Sequence, residues 1–214
     1  MTKIDLMVFD FDGTLVSSGD DLAAAVNHML ETLGNSALPK ERIIGFVGDG
    51  VRKLIERSLG DAFPDKFDEA LNIFMSYYSE HLLDTTELYP GVLEVLNHFR
   101  SKRKAIVTNK LYSYTLKIAD ELNITKYFDD ILGMDSNSFK KPDARIIRPL
   151  IEKYRVDDSR AVVIGDGNND IILAKNAGVL SCALLNGLGN RDKLLQLKPD
   201  YLCENMMELK NLFI

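Results

Sequence analysis

The strongest constraint on the fold is an alternation of short β-branched runs with helical segments after Pro90. Residues 104–108 and 160–164 form two such runs, and residues 181–185 form a weaker third one. Between the runs, apolar residues recur at the three- and four-residue spacing of amphipathic helices. Strands that alternate with helices form a parallel sheet whose two faces are covered by helices. The sequence therefore predicts an α/β fold.

The first apolar run, Ile4 to Phe9, belongs to the same predicted sheet but is followed by a different pattern. From about Asp20 to Asp84 the spacing of apolar residues indicates helices only, with no strand between them. A helical insert after the first strand of an α/β unit is typical of a lid. We therefore predict a core of residues 1–16 plus 86–214 and a helical cap of residues 17–85.

Composition excludes several classes of protein. The 214 residues are 46% hydrophobic and 27% charged, as expected of a soluble chain with one large or two modest units. The balance of 26 basic and 32 acidic residues gives a net charge of −6, and no basic block is present. We therefore expect neither nucleic acid nor a membrane as a partner. The acidic residues within the first apolar stretch argue against a signal peptide, so we expect a cytoplasmic protein.

The most informative motif is DFDGTL, residues 10–15, at the end of the first predicted strand. Asp10 and Asp12 are two residues apart, and closely spaced carboxylates repel each other unless a cation or a proton lies between them. A divalent ion such as Mg²⁺ is the natural partner for such oxygen ligands. At average composition, the four specified residues of D-x-D-G-T arise by chance on the order of once in a thousand chains of this size. The motif therefore predicts a metal-dependent site.

Three further polar segments occur later in the chain, and those at residues 107–110 and 165–170 end predicted strands, where open α/β sheets build their sites. GDGNND, residues 165–170, offers Asp166 and Asp170 as oxygen ligands, although acids in such a loop also cap helices. VTNK, residues 107–110, offers Thr108 and Asn109 to phosphate oxygens, with a helix N-cap as the alternative.

The last of these segments, KKPD at residues 140–143, contributes the point charge of Lys141 beside a stiff proline. A single lysine in isolation carries no functional information. Lys141 becomes a candidate site residue because its segment is one of four motifs that occur in order along the chain.

The ordered set of four motifs resembles the haloacid dehalogenase superfamily. The resemblance covers the whole chain and implies a Rossmann-like parallel core with an inserted cap. It implies that Asp10 is the nucleophile that forms an aspartyl phosphate and that Asp12 is the general acid and base. It also implies that Thr108 and the Asn109 backbone hold phosphoryl oxygens, while Lys141 neutralises developing charge.

The same resemblance implies a Mg²⁺ site. Asp10, the backbone carbonyl of Asp12 and Asp166 would bind the ion, with Asp170 either a direct ligand or just behind one. The second acid of the first motif also separates phosphoryl chemistry from dehalogenation, because the dehalogenase members lack it. The family resemblance therefore favours a phosphatase.

Within the superfamily, the chain looks most like the phosphoglycolate phosphatase group, including the cap stretch from Phe46 to Gly60. Gly48 and Gly50 would let the backbone approach a substrate, and Arg52 could face its carboxylate. The alternative is a loop that caps a helix whose basic residues face water. One departure is Ala144, where this group often has a second proline.

We therefore expect a Mg²⁺-dependent phosphatase for a small phosphorylated metabolite, with 2-phosphoglycolate as the first choice, acting as a monomer or homodimer. A phosphomutase resembling β-phosphoglucomutase shares the cap position and both acids, and pyrophosphatase or nucleotidase activity is also open. A phosphorylatable receiver-like domain is a distant alternative. It is disfavoured because no isolated aspartate ends the run at residues 104–108.

Overall fold

The computed structural model describes residues 1–60, 64–136 and 138–214, and it is built around a parallel sheet. The strands are β1 (Leu6–Phe9), β2 (Val16–Ser17), β3 (Glu87–Leu88), β4 (Arg103–Val107), β5 (Asp130–Leu132), β6 (Ala161–Gly165), β7 (Leu180–Leu184) and β8 (Tyr201–Cys203). Six of them pair in parallel in the order β5-β4-β1-β6-β7-β8. The predicted α/β fold with a parallel sheet is confirmed.

The predicted runs coincide with β1, β4, β6 and β7 apart from small shifts at their ends. Strands β5 and β8 were not predicted, and both are three residues long and lie at the two edges of the sheet. An edge strand of this length is only partly buried, so its sequence lacks the apolar run that marks a central strand.

Helices cover the sheet on both faces. They are α1 (Gly19–Thr32), α2 (Lys40–Ile44), α3 (Val51–Leu59), α4 (Phe67–Glu80), α5 (Val92–His98), α6 (Tyr112–Glu121), α7 (Arg148–Tyr154), α8 (Asn168–Ala177), α9 (Arg191–Gln196) and α10 (Leu209–Leu212). Leu6 and Val8 belong to one apolar cluster, whereas Met7 and Phe9 belong to another. Because side chains alternate between the faces of a strand, β1 must be apolar throughout to serve both clusters.

Helices α1–α4, called the cap below, lie between β2 and β3. The described residues of the stretch from Asp20 to Asp84 form helices and no strand. Val16 pairs with Leu88, and Ser17 pairs with Glu87, so the chain leaves and re-enters the core through an antiparallel two-stranded ribbon. Among residues 1–60, 64–136 and 138–214, no helix combines the length and apolar character needed to cross a membrane.

The ribbon is reinforced by a buried carboxylate at the start of α1. Asp21 accepts hydrogen bonds from the backbone N–H groups of Thr85 and Thr86, at 3.0 and 2.9 Å. It also accepts bonds from both hydroxyls, at 2.5 and 2.7 Å. Burial alone raises the pKa of the Asp21 carboxyl, but these bonds outweigh it and leave the pKa below its ordinary value. Asp21 therefore ties the first cap helix to the segment that returns to the core.

We expect Asp21→Asn to lower the free energy of unfolding by about 2 kcal/mol at pH 7, because an amide cannot accept all four bonds and its NH₂ faces donors. Urea denaturation measures this change. Since the folded pKa of Asp21 is depressed, its contribution is present above the unfolded pKa of about 3.9 and lost as the pH falls through the folded value. The difference between wild type and variant should therefore shrink in acid.

The matched control is Asp20→Asn. Asp20 is the neighbouring residue of α1, but its side chain is 56% exposed and pairs with Lys40 at the surface. Exposed ion pairs contribute at most about 1 kcal/mol. Equal destabilisation by the two substitutions would contradict a special role for Asp21.

Candidate active site

The four predicted segments meet at the carboxyl end of the sheet. Asp10, Thr108 and Asp166 directly follow β1, β4 and β6, which are neighbours in the sheet. Phe9 pairs with Ile106 on one side and with Ile164 on the other, so the three strands end at the same level. Lys141 comes from the loop between β5 and α7. The sheet thereby brings together residues that are far apart in the chain.

A buried lysine joins two of the predicted carboxylates. The Lys141 ammonium lies 2.6 Å from Oδ1 of Asp10 and donates to Oδ1 of Asp170 at 2.7 Å. Its side chain is 1% exposed. Burial alone lowers the pKa of Lys141, but the charges of Asp10 and Asp170 outweigh it and raise the pKa. Lys141 is therefore a fixed positive charge at neutral pH.

The Asp166 carboxylate is held by hydrogen bonds on both oxygens. Thr14 donates its hydroxyl to Oδ1 at 2.7 Å, and the N–H groups of Leu188 and Gly189 donate to Oδ2 at 2.8 and 3.0 Å. Burial and the charge of Asp10 still raise the pKa of Asp166 to about 6. Burial and the same charge also raise the pKa of Asp170. Burial is the main cause of both shifts, and the negative charge of Asp10 adds to it.

Asp10, Asp166 and Asp170 form a cluster that suits a hard cation. Each offers a carboxylate oxygen, and the three oxygens lie within 4.8 Å of one another. Carboxylate oxygens are the ligands that Mg²⁺ prefers, and a cation here would relieve the repulsion between the carboxylates. The residues present therefore fit a divalent metal ion.

The Asp12 carboxylate is not part of this cluster, and the predicted metal ligand of Asp12 is its backbone carbonyl. Oδ1 accepts the Ser18 hydroxyl at 2.5 Å, and the Lys110 ammonium donates to Oδ1 and Oδ2 at 3.0 and 3.2 Å. Lys110 also donates to the hydroxyl oxygen of Tyr78 in α4 at 2.6 Å. A continuous chain of contacts thus runs from Asp12 through Lys110 to the cap.

A cavity opens in front of Asp10 and Asp12, between the core and the cap. The other residues that line it are Leu22, Val47, Gly48, Gly50, Val51, Leu54, Phe74, Met75, Tyr78, Thr108, Asn109, Lys110, Leu111 and Tyr114. The Asp10 side chain is 13% exposed, whereas that of Lys141 beside it is 1% exposed. The carboxylate therefore meets the cavity with the lysine behind it.

The family follows from the sequence match. The family model described as haloacid dehalogenase-like hydrolase matches residues 7–184, which include all four motifs and the cap. The chain belongs to this family. The resemblance stated from the motifs is thus confirmed.

Relatives of this hydrolase align along nearly the whole chain. A phosphoglycolate phosphatase from Vibrio parahaemolyticus is 34% identical, covering 96% of this chain and 94% of its own. Another from Neisseria meningitidis is 35% identical, covering 96% and 92%. The crystal structure of a predicted phosphoglycolate phosphatase from Haemophilus somnus superposes with a TM-score of 0.93 at 28% identity, covering 99% of both chains.

In the second motif of this hydrolase, VTNK, the Asn109 side chain binds the backbone of Lys141. Its Nδ2 donates to the carbonyl of Lys141 at 3.2 Å, and its Oδ1 accepts the N–H of Lys141 at 3.0 Å. Only its backbone is therefore left for a phosphoryl oxygen. The neighbouring Thr108 hydroxyl accepts the N–H of Lys110 at 3.2 Å, so its own hydrogen remains to be donated.

The cap loop between α2 and α3 lies directly on the core. The carbonyl of Gly48 accepts bonds from the side chains of Asn109 and Asn169, at 2.9 and 3.1 Å. Gly50 has a φ of +89°, and a Cβ there would lie 2.7 Å from the sulfur of Met134. A glycine is needed at this close approach. Both glycines line the cavity, and their contact with a substrate stays a prediction.

Arg52 lies elsewhere. Its side chain is 70% exposed, its Nε donates to Glu56 at 3.2 Å, and its guanidinium stacks over the ring of Phe67. It does not line the cavity. Arg52 lies in the first turn of α3, where it forms an (i, i+4) pair with Glu56 at the surface. The alternative of a water-facing basic residue describes this position.

Two residues of this hydrolase were not predicted as part of the site. Tyr78 is buried, and its hydroxyl reaches Lys110. Lys110 closes the second motif, and its position after a strand was the available signal. Burial raises the pKa of Tyr78 to about 12 despite the opposing charge of Lys110, and the pKa of Lys110 is raised because Asp12 and Tyr78 outweigh burial. The pair is therefore a protonated phenol beside an ammonium group.

Proposed function

We propose that the protein is a Mg²⁺-dependent phosphatase that hydrolyses 2-phosphoglycolate through an aspartyl phosphate on Asp10. The observation that supports this most is the placement of Asp10, which meets the cavity with Lys141 behind it and the carboxylates of Asp166 and Asp170 alongside. These carboxylates would hold the metal ion together with Asp10 and the Asp12 carbonyl. Bound there, Mg²⁺ supplies charge that offsets the repulsion between a phosphate dianion and a carboxylate nucleophile.

In the first step, a carboxylate oxygen of Asp10 attacks phosphorus, and the bond from phosphorus to the ester oxygen breaks. Asp12 donates its proton to that oxygen, which leaves as the alcohol. In the second step, Asp12 takes a proton from water, whose oxygen attacks phosphorus and releases inorganic phosphate and free Asp10. Lys141 holds Asp10 in place through a contact of 2.6 Å, so the nucleophile is aligned before substrate arrives.

Two observations support a small substrate. The cap helices and the loop that contains Gly48 cover the cavity. Side chains of the core hold this loop in place by hydrogen bonds. The relatives that match along nearly the whole chain carry the name phosphoglycolate phosphatase. A covered cavity favours a small substrate such as one with two carbons.

We expect purified protein to release phosphate from 2-phosphoglycolate when Mg²⁺ is present, to lose this activity in EDTA, and to regain it with added Mg²⁺. The physical reason is that Asp10, Asp166 and Asp170 repel each other and a phosphate dianion without a cation. A panel of phosphoesters, with p-nitrophenyl phosphate as the reference, measures both release and preference.

Three outcomes of the panel would contradict the proposal. Release that needs no divalent ion excludes the metal-assisted route. Conversion of a hexose phosphate to its isomer without free phosphate indicates a mutase. Greater activity on pyrophosphate or a nucleotide than on 2-phosphoglycolate assigns the site to another substrate.

A further inference from the structure

Away from Asp10, Asp12, Thr108 and Asn109, the cavity walls are mostly apolar. Leu22, Val47, Leu54, Phe74 and Leu111 contribute its hydrophobic walls. Among the described residues that line it, Lys110 is the one cationic side chain, since Lys141 lies behind Asp10. Lys110 is therefore the cavity-lining residue that can bind a second anionic group of a substrate.

Lys110 has a hydrogen to spare beside Asp12. A lysine ammonium carries three N–H donors. Asp12 shares one between its two oxygens, at 3.0 and 3.2 Å, and the Tyr78 oxygen takes another at 2.6 Å. Within the part of the chain that the structure describes, these are the acceptors that Lys110 Nζ reaches. The third hydrogen is available to a ligand in the cavity.

Tyr78 has a hydrogen available as well. Its oxygen accepts from Lys110, so its own O–H is left to donate. The pKa of Tyr78 is about 12, and the phenol therefore stays protonated at neutral pH. An N–H and an O–H donor thus lie 2.6 Å apart at their heavy atoms, one from the core and one from the cap. Two adjacent donors, one of them charged, suit the two oxygens of a carboxylate.

Asp12 determines how far a group bound by Lys110 lies from the ester oxygen of the substrate. As general acid, Asp12 must contact the ester oxygen that leaves, and Lys110 contacts Asp12 directly. A group bound by Lys110 therefore lies only one or two carbons from the ester oxygen. The carboxylate of an α-hydroxy acid occupies that position when its hydroxyl is the phosphorylated group.

We propose that Lys110 and Tyr78 form the site that binds the carboxylate of a phosphorylated α-hydroxy acid. This inference rests on the proposed function and assigns its preference for a carboxylate-bearing substrate to two residues. A phosphate ester without a carboxylate leaves the third Lys110 hydrogen and the Tyr78 hydroxyl unpaired in apolar surroundings. This costs binding free energy. The site lies where cap and core meet, because Tyr78 belongs to α4 and Lys110 to the core.

The test compares kcat/KM for 2-phosphoglycolate with kcat/KM for ethyl phosphate, in which a methyl group replaces the carboxylate. Wild type should prefer 2-phosphoglycolate by about 100-fold or more, as sites built to hydrogen-bond a substrate reject analogues that lack the partner. Lys110→Met should reduce this ratio to within about threefold of unity, and Tyr78→Phe should reduce it by about tenfold. The ratio isolates carboxylate binding, since any effect on Asp12 lowers both values alike.

Lys117→Met is the matched control. Lys117 also bridges core and cap, through a bond of 3.3 Å to the carbonyl of Ser79, but its side chain is exposed at the surface. It should keep the wild-type ratio. Thermal unfolding of all three variants verifies that they are folded, and Tyr78→Phe retains the buried ring if Lys110→Met does not fold.

The outcomes separate the two proposals. An equal loss on both substrates in the Lys110 and Tyr78 variants overturns the carboxylate site, because the pair then acts only through Asp12. Wild type that hydrolyses 2-phosphoglycolate without preferring it overturns the site while the phosphatase stands. Wild type that releases no phosphate from 2-phosphoglycolate with Mg²⁺ overturns the proposed function and this inference together.

Discussion

Asp10→Asn is expected to reduce phosphate release by about 10⁴-fold or more, because an amide is a poor nucleophile and the proposed covalent intermediate forms on this carboxylate. The substitution is nearly isosteric and retains an oxygen for the Phe11 N–H, which donates to Oδ1 at 2.7 Å. The fold should therefore survive. Release of inorganic phosphate from 2-phosphoglycolate measures the loss.

The same variant gives a second readout on the metal. Removing one charge from the cluster of Asp10, Asp166 and Asp170 should weaken Mg²⁺ binding, so added Mg²⁺ should raise the Tm of wild type more than that of the variant. Asp5→Asn is the control, since Asp5 precedes the opposite end of β1 and pairs with Arg160. Activity within about tenfold of wild type in the Asp10 variant would exclude Asp10 as the nucleophile.

The residues at the strand ends were predictable because the sheet fixes their positions. A central strand such as β1 is apolar throughout, and a polar residue at its end marks the edge at which sites form. Parallel pairing then places Asp10, Thr108 and Asp166 side by side once the strands are identified. Local sequence thus determines both the identity and the location of these groups.

Contacts between cap and core were not predictable in this way. Tyr78 and Lys110 are 32 residues apart, and their meeting depends on how α4 packs over the core. The bonds from Thr85 and Thr86 to Asp21 span 64 and 65 residues. Whether the Arg52 side chain meets the cavity or water likewise depends on which face of α3 is turned toward the core. Helical spacing predicts that a face is buried but not what it is buried against.

The site explains how a chain with a net charge of −6 can bind an anionic substrate. Asp10, Asp166 and Asp170 concentrate negative charge where a cation is needed, and Lys141 compensates part of it. An acidic chain can therefore attract a small anionic substrate, since the potential in the cavity depends on the bound cation and nearby lysines rather than on the total.

Lys141→Met should both inactivate and destabilise the protein. The substitution leaves Asp10, Asp166 and Asp170 crowded without the ammonium that contacts two of them, at 2.6 and 2.7 Å. Removing one partner of a buried ion pair costs about 3–5 kcal/mol, and losing a charge that stabilises the transition state costs about 10³-fold in rate. Urea denaturation in EDTA measures the first effect, and phosphate release with Mg²⁺ measures the second.

Magnesium separates electrostatic from packing effects in this variant. If carboxylate repulsion causes the loss of stability, a cation bound to the same carboxylates should restore part of it, so unfolding in Mg²⁺ should show a smaller deficit than unfolding in EDTA. Lys140→Met is the control, because Lys140 is the preceding residue but is exposed. A Lys141 variant that matches the Lys140 variant in EDTA would show that the buried ammonium does not stabilise the cluster.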